Sequence, residues 1–544
     1  MPAIITDQFR ILNAKTFTES FAGIGTDSSY YTFLAHPKPE NIDIEYGKSD
    51  WDTNPPDPRD SFEQESSYHN SMLFMKRVYS DDVRMIVPRY NWQSGTVYDR
   101  YRHNIDILSP SSVLDAKTLY ESKYIVVNSE YKVYICINNG ENPSNETGGK
   151  STSEPNFVET VPQKVANSTD GYVWKYLFTI PPSDVIRFVT EDYIPLPKDW
   201  GTGSTQTVKD AAIDGKLEVD SIVIKNNGSD YQFSGGVDSI TLPVYGDGIG
   251  AKATITLGAL GTVATAKITT PGYGYTKAFL IFKNKDVPGI GQGYSTGEND
   301  ITITNGTGAE FEISCPPKGG HGYDIYRECG SHRVMVYSKY DSDPDFVTGN
   351  DFARIGIIKN PTTVGTGVGS QIINTSTATT TGALKLSGTN LKYPNNSKIT
   401  QVLGSNPQVT GISSVAVAYV ASFNNKTNVL KYYQPVGLST LTSTGYKILP
   451  FSNDTASGAN LNITCDDTTA VVGSIDNTFG GTTGTNTVQL SGTGQVVNLG
   501  QTFKNGISPS EVKRYSGEII YIDNRQPITR SASQKEELKI VVEF

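Results

Sequence analysis

Two long stretches of this chain, residues 206–320 and 366–508, contain no Met, Trp, His or Arg, although together they make up nearly half of its 544 residues. An even scatter would place about half of those residue types there, so the chain is compositionally segmented. The second stretch also lacks Glu and is dominated by Thr, Ser, Gly and Asn. Such a composition favours disorder only where strand signals are missing. Here strand-like runs such as Ser414–Phe423, SVAVAYVASF, recur between Gly and Asn turn signals. Both stretches therefore read as folded β inserts, expected to project outward from a scaffold. The expected organisation is a scaffold in three pieces, residues 1–205, 321–365 and 509–544. They are interrupted by an inserted β module at 206–320 and a Thr/Ser/Gly/Asn-rich β domain at 366–508.

The segment Tyr515–Phe544 carries two strand patterns joined by a turn. In Glu537–Phe544 the apolar Leu538, Ile540, Val542 and Phe544 alternate with Lys539, Val541 and Glu543, the period of a strand with one buried face. The chain is expected to end inside a sheet, so that earlier segments fold back to pair with it. With 52 Gly and 28 Pro, turns and strands are favoured over long helices, and the expected fold class is mainly β: a β-sandwich-like scaffold with a few short helices.

The first insert contains an internal repeat. Val219–Tyr231, VDSIVIKNNGSDY, and Val263–Tyr275, VATAKITTPGYGY, share Val, Ile, Gly and Tyr at matching positions. Each reads as a strand entering a Gly turn closed by Tyr, and together they predict a module built on a duplicated hairpin. In the scaffold, Tyr172, Trp174, Tyr176, Phe178 and Ile180 line one face of a predicted strand that Pro181 and Pro182 end. Buried within the subunit, each ring contributes roughly 2–3 kcal/mol; buried between subunits, the same face is an assembly hot spot. The general tendency of aromatic residues to be buried favours the first reading. Capping patterns at Asp60–Glu63 and Ser112–Asp115 predict two short helices, with Tyr68, Met72 and Met75 at helical spacing after the first.

The residues that carry chemistry are sparse. His36, His69, His103, His321 and His332 each lack a second His at ligand spacing. Cys136, Cys315, Cys329 and Cys465 show no CxxC spacing and read as free buried thiols. The glycine pairs Gly246/Gly248 and Gly365/Gly367 lack the strand, turn and helix context of a dinucleotide site. Asp341, Asp343 and Asp345 resemble a calcium loop, but Pro344 and the missing distal Glu favour a plain acidic turn. Arg89 and Arg525 lie beside aromatic and Pro residues, which suits either an interface or a locally paired Arg. No residue is assigned a catalytic, cofactor-binding or metal-binding role. The net charge of −10 without a basic block argues against a nucleic-acid or anionic-membrane footprint. No charged leader precedes an apolar run and no stretch approaches membrane length, so a chain made and kept in the cytoplasm is expected.

Four segments give a more specific lead. Ile86–Trp92 (IVPRYNW), Asp170–Pro182 (DGYVWKYLFTIPP), Arg333–Pro361 (ending DFARIGIIKNP) and Ser516–Ile528 (SGEIIYIDNRQPI) occur in one order along the chain. They resemble signatures of the baseplate wedge family encoded by gene eight of T-even-type contractile-tailed bacteriophages. The resemblance implies a non-enzymatic structural protein of the virion tail baseplate, assembled in the host cytoplasm. It implies a homodimer, contacts to the wedge proteins encoded by genes six, seven and ten, and a part in baseplate rearrangement on host attachment. It implies no cofactor, no nucleic acid and no membrane insertion. The alternative reading is a glycan-binding or carbohydrate-active tail protein that meets host surface sugars through its inserts, with Tyr432 and Tyr433 of KYYQP as candidates. A cytosolic bacterial enzyme ranks third, because it leaves the four ordered segments without an account.

Overall fold

The computed structural model describes residues 5–22, 28–36, 53–215, 219–283, 297–298, 301–341, 351–364, 370–405, 411, 413–434, 440–442, 445–529 and 535–544. The chain is mainly β, with many antiparallel strands in several sheets and a few helices, the longest described one being Asp7–Ser20. Among the described residues no helix is long and apolar enough to cross a membrane. Two compact units are formed: residues 1–18, 84–335 and 541–544, and residues 19–83 and 336–540.

The first unit holds a three-stranded sheet of Ile125–Val127, Lys132–Asn139 and Tyr172–Thr179. Tyr172 and Trp174 sink into a cluster with Tyr98, Val126, Tyr134 and Cys136, and Trp174 stacks on Tyr172 with ring centroids 5.2 Å apart. The aromatic strand is therefore core. Its alternation is imperfect, because Leu177 and Phe178 are both buried in a neighbouring cluster. A bulge that leaves Leu177 between the register pairs Tyr134↔Tyr176 and Val133↔Phe178 accompanies this break in alternation.

The repeat at 206–320 is present, but its unit is a strand pair and only one copy is a hairpin. Strand Lys252–Leu257 turns directly into Val263–Thr270, whereas Ser221–Phe233 pairs with the distant Ile303–Ser314. The registers nonetheless match pair for pair. Lys252↔Thr270, Ala253↔Ile268, Thr254↔Lys267 and Ile255↔Ala266 correspond to Glu310↔Asn226, Phe311↔Ile224, Glu312↔Val223 and Ile313↔Ile222, and the same bulge follows Lys252 and Glu310.

The partner strands share a second repeat, Gly248-Ile-Gly-Ala251 and Gly306-Thr-Gly-Ala309. Tyr275 and Tyr231 close the two copies alike, each hydroxyl accepting a hydrogen bond from the backbone N–H of that alanine, at 3.3 and 3.0 Å. The duplicated unit is thus wrapped around itself, with the first strand and the last strand forming one copy. Gly272 and Gly228 occupy equivalent positive-φ sites (72° and 58°), and a Cβ on either would lie within 2.6 Å of the partner strand's backbone. Gly272→Ala and Gly228→Ala are expected to destabilise by about 1–3 kcal/mol each. Chemical denaturation checks this, and a neutral result at either site contradicts the equivalence.

In the second unit, a five-stranded antiparallel sheet runs in the order Thr377–Thr379, Met72–Val78, Tyr30–Ala35, Asp351–Lys359, Glu518–Thr529. Pro527 is tolerated because its strand is at the edge. Gly356 is required beneath the Phe33 ring, where a Cβ would come within 2.4 Å. A seven-stranded sheet collects strands from 382–508, including Ser413–Asn424 over the predicted SVAVAYVASF run.

Several sequence expectations need correction. The helix Phe62–Ser71 is capped by Ser61, whose side chain accepts from the Gln64 N–H, and it ends before Met72. Met72 and Met75 lie in the following strand, and with Tyr68 they reach one core cluster from two elements. Ser112–Asp115 forms a turn, closed by positive φ at Asp115, and Asp99 accepts the Val113 N–H. The two C-terminal strands, Glu518–Thr529 and Glu536–Glu543, lie in different sheets. Of the apolar alternation in the last strand only Ile540 is fully buried.

Candidate functional site

Besides the Arg84–Asp184 pair, the described residues of the first unit hold two clusters of buried charge that the sequence did not reveal. In one, the Arg100 side chain is 1% exposed and donates from Nε to Glu141 (2.9 Å), from Nη2 to Glu312 (2.8 Å) and from Nη1 to the Ser314 hydroxyl (2.9 Å). Lys225 adds a short ion pair to Glu141, and Arg102 Nε lies 3.0 Å from Glu312. Burial would raise the Glu141 pKa, but Arg100 and Lys225 outweigh it and hold the carboxyl below its ordinary value. Each acid is thereby paired with at least two cations, and the arrangement works as a cross-link. Arg100, Arg102 and Glu141 precede the repeat module, whereas Lys225, Glu312 and Ser314 belong to its first and last strands.

The other cluster centres on His321, which is buried between two carboxylates. Nε2 lies 3.0 Å from Asp220, and Nδ1 makes a shorter contact with Glu328. Glu328 also accepts the Gly322 N–H at 2.6 Å, and the Tyr101 ring packs edge-on at 4.6 Å. Burial pulls the imidazole pKa down, but Asp220 and Glu328 overcome it and raise it to about 9. A doubly hydrogen-bonded imidazolium has no lone pair for a metal or for general-base chemistry. His321 therefore reads as a structural cation.

Because its folded pKa lies above the unfolded value near 6.5, the stabilisation it gives is complete below about pH 6.5 and fades as pH rises through about 9. We expect a loss of roughly 3 kcal/mol across that window. Denaturation midpoints at the two ends of the range measure it, and a His321→Gln variant with the same pH slope would contradict the assignment.

The remaining candidates are locally occupied. His36 Nε2 is 2.5 Å from Asn396 Oδ1, and the His103 ring accepts the Cys315 N–H at 3.3 Å. Burial lowers the His69 pKa to about 4. His332, Arg333 and Arg10 converge on Glu543, Arg333 with both Nε (3.0 Å) and Nη2 (3.1 Å). Arg89 donates to Asn91 and to the Thr190 carbonyl, and Arg525 pairs with Asp523 two residues away. Arg89 is thus tied into its own chain, whereas the Arg525 side chain remains 65% exposed.

The four cysteines are free; Cys136, Cys315 and Cys329 are buried, and burial raises their pKa values. Gly246 and Gly248 pack beside Tyr275, and Gly365 and Gly367 lie outside the described residues. Asp343 and Asp345 also lie outside them, and Asp341 pairs with Lys339. Tyr432 and Tyr433, the candidate sugar platform, are 6% and 7% exposed, so neither offers a ring face to solvent. Tyr432 packs on Phe451 and Tyr433 on Tyr419.

Comparison with known proteins finds similarity to one family. The sequence model of the family described as Bacteriophage T4, Gp8 matches residues 143–257, a stretch that includes the aromatic strand and continues into the repeat module. The chain is also 26% identical to the baseplate wedge protein gp8 of Enterobacteria phage T4 over 223 residues, which is 36% of this chain. That alignment spans 60% of the relative's length. Both comparisons point to the same family, to which the chain is similar over these segments.

Proposed function

We propose that this chain is a structural component of the baseplate wedge of a contractile phage tail and acts through subunit interfaces rather than chemistry. The observation that carries the reading is the match of residues 143–257 to the Gp8 family, over a segment whose aromatic strand is part of the core of its unit. In this reading the chain dimerises and binds the wedge proteins encoded by genes six, seven and ten. It assembles in the host cytoplasm, and it repacks its interfaces when the baseplate rearranges on host attachment. Such rearrangement requires contacts whose free energies differ between two assembled states.

The stretches 206–320 and 366–508 are modules inserted into a scaffold of 1–205, 321–365 and 509–544. Paired ends support this: Ser221 is the register partner of Ser314, and Ala383 that of Ser508, so each module leaves close to where it enters. Immunogold labelling of virions tests the placement. Label at the baseplate end of the tail is expected; label on the capsid or along the sheath would contradict the proposal.

A further inference from the structure

We propose that a basic groove in the 366–508 module binds a short anionic saccharide bearing carboxylate groups. The groove, of about 550 Å³, lies between the segment around Lys392, the Asn424–Thr427 turn and strand Val496–Phe503. That volume is in the range of small-ligand sites. Its wall carries Lys392, Lys426 and Lys431 and no Asp or Glu, in a chain whose net charge is −10. Lys392 and Lys426 are exposed, whereas Lys431 is buried in the wall. The Lys392 charge also acts on Asp467, and its Nζ lies 3.5 Å from the Thr469 hydroxyl; neither residue lines the groove.

The rest of the lining narrows the ligand class. Asn425 and Asn498 line the groove, and although Asn498 Oδ1 already accepts the Gly500 N–H at 2.9 Å, amide side chains supply donors and acceptors of the kind sugar hydroxyls require. Half-buried Phe423 supplies an apolar floor, braced by a tyrosine ring at 5.3 Å. An apolar ligand would desolvate the lysines without compensation. A long polyanion such as nucleic acid needs a continuous cationic track, which a single groove does not supply. A compact ligand with several hydroxyls and negative charge fits both the volume and the lining. The inference uses a different part of the chain from the family match and does not depend on the baseplate reading.

Calorimetric titration of the full chain with tetragalacturonate, maltotetraose and inorganic phosphate tests it. The uronate is expected to bind at least about tenfold more tightly than either the neutral sugar or phosphate, with an affinity that falls as salt is added. Lys392→Glu/Lys426→Glu is expected to weaken uronate binding by at least about tenfold at an unchanged melting temperature, and Lys392→Arg/Lys426→Arg to retain it. Four results would overturn the proposal: no uronate binding, equal binding of the neutral sugar, equal binding of phosphate, or a charge-reversed variant that binds like the parent.

Discussion

Glu141→Ala is expected to destabilise the first unit by about 3–5 kcal/mol. Glu141 is 1% exposed at its side chain and is the shared acceptor of Arg100 and Lys225. Its removal leaves the Arg100 guanidinium, equally buried, with Glu312 as its remaining acid partner. A buried cation that loses one of its two acid partners costs more than the pair contributed, so the loss exceeds what a surface ion pair would show. The described tryptophans, Trp92, Trp174 and Trp200, all lie in the first unit, so fluorescence-detected denaturation reports on that unit. A shift below about 1 kcal/mol, the range of exposed pairs, would mean that water reaches the cluster. Because Glu141 precedes the repeat module while Lys225 and Glu312 are in it, the variant should also speed amide exchange in Ser221–Phe233 and Ile303–Ser314.

Trp174→Ala is expected to cost a similar amount, about 3–5 kcal/mol, for an unrelated reason. Trp174 is fully buried, stacks on Tyr172 and meets Tyr98 edge-on at 5.8 Å. Its loss opens a cavity in a cluster built mostly of aromatic rings, which relaxes poorly around a void. Trp174→Phe should recover much of the loss, because the indole N–H makes no hydrogen bond within the protein. Thermal or denaturant midpoints of the two variants decide this. Equal losses for Ala and Phe would mean that the ring system is not packed as described.

The sequence made legible what depends on local pattern. The aromatic strand, the SVAVAYVASF strand, the Gly-turn-Tyr repeat and the mainly β class all follow from two-residue periodicity and turn residues. It did not reveal where separated strands pair. The Val219–Tyr231 copy therefore reads as part of a local hairpin, although the distant Ile303–Ser314 supplies its other half, and the GxGA motif shared by Gly248–Ala251 and Gly306–Ala309 is the signal that marks it.

Tyr68, Met72 and Met75 satisfy helical spacing but straddle a helix-to-strand junction, a case in which tertiary packing overrides periodicity. Asp220, His321 and Glu328 meet although Asp220 is a hundred residues from His321, and no spacing rule marks such a cluster. Asp7–Ser20 was missed for a local reason: only Ile11 and Ala14 are buried on it, so it carries no apolar stripe.

The central claim is that this chain works by binding other subunits, and its solution mass by light scattering, alone and after mixing with the wedge proteins encoded by genes six, seven and ten, tests it most directly. The account predicts a species of twice the 59.1 kDa chain mass that enters a larger complex with those partners. A monomer whose mass is unchanged by every partner would contradict it.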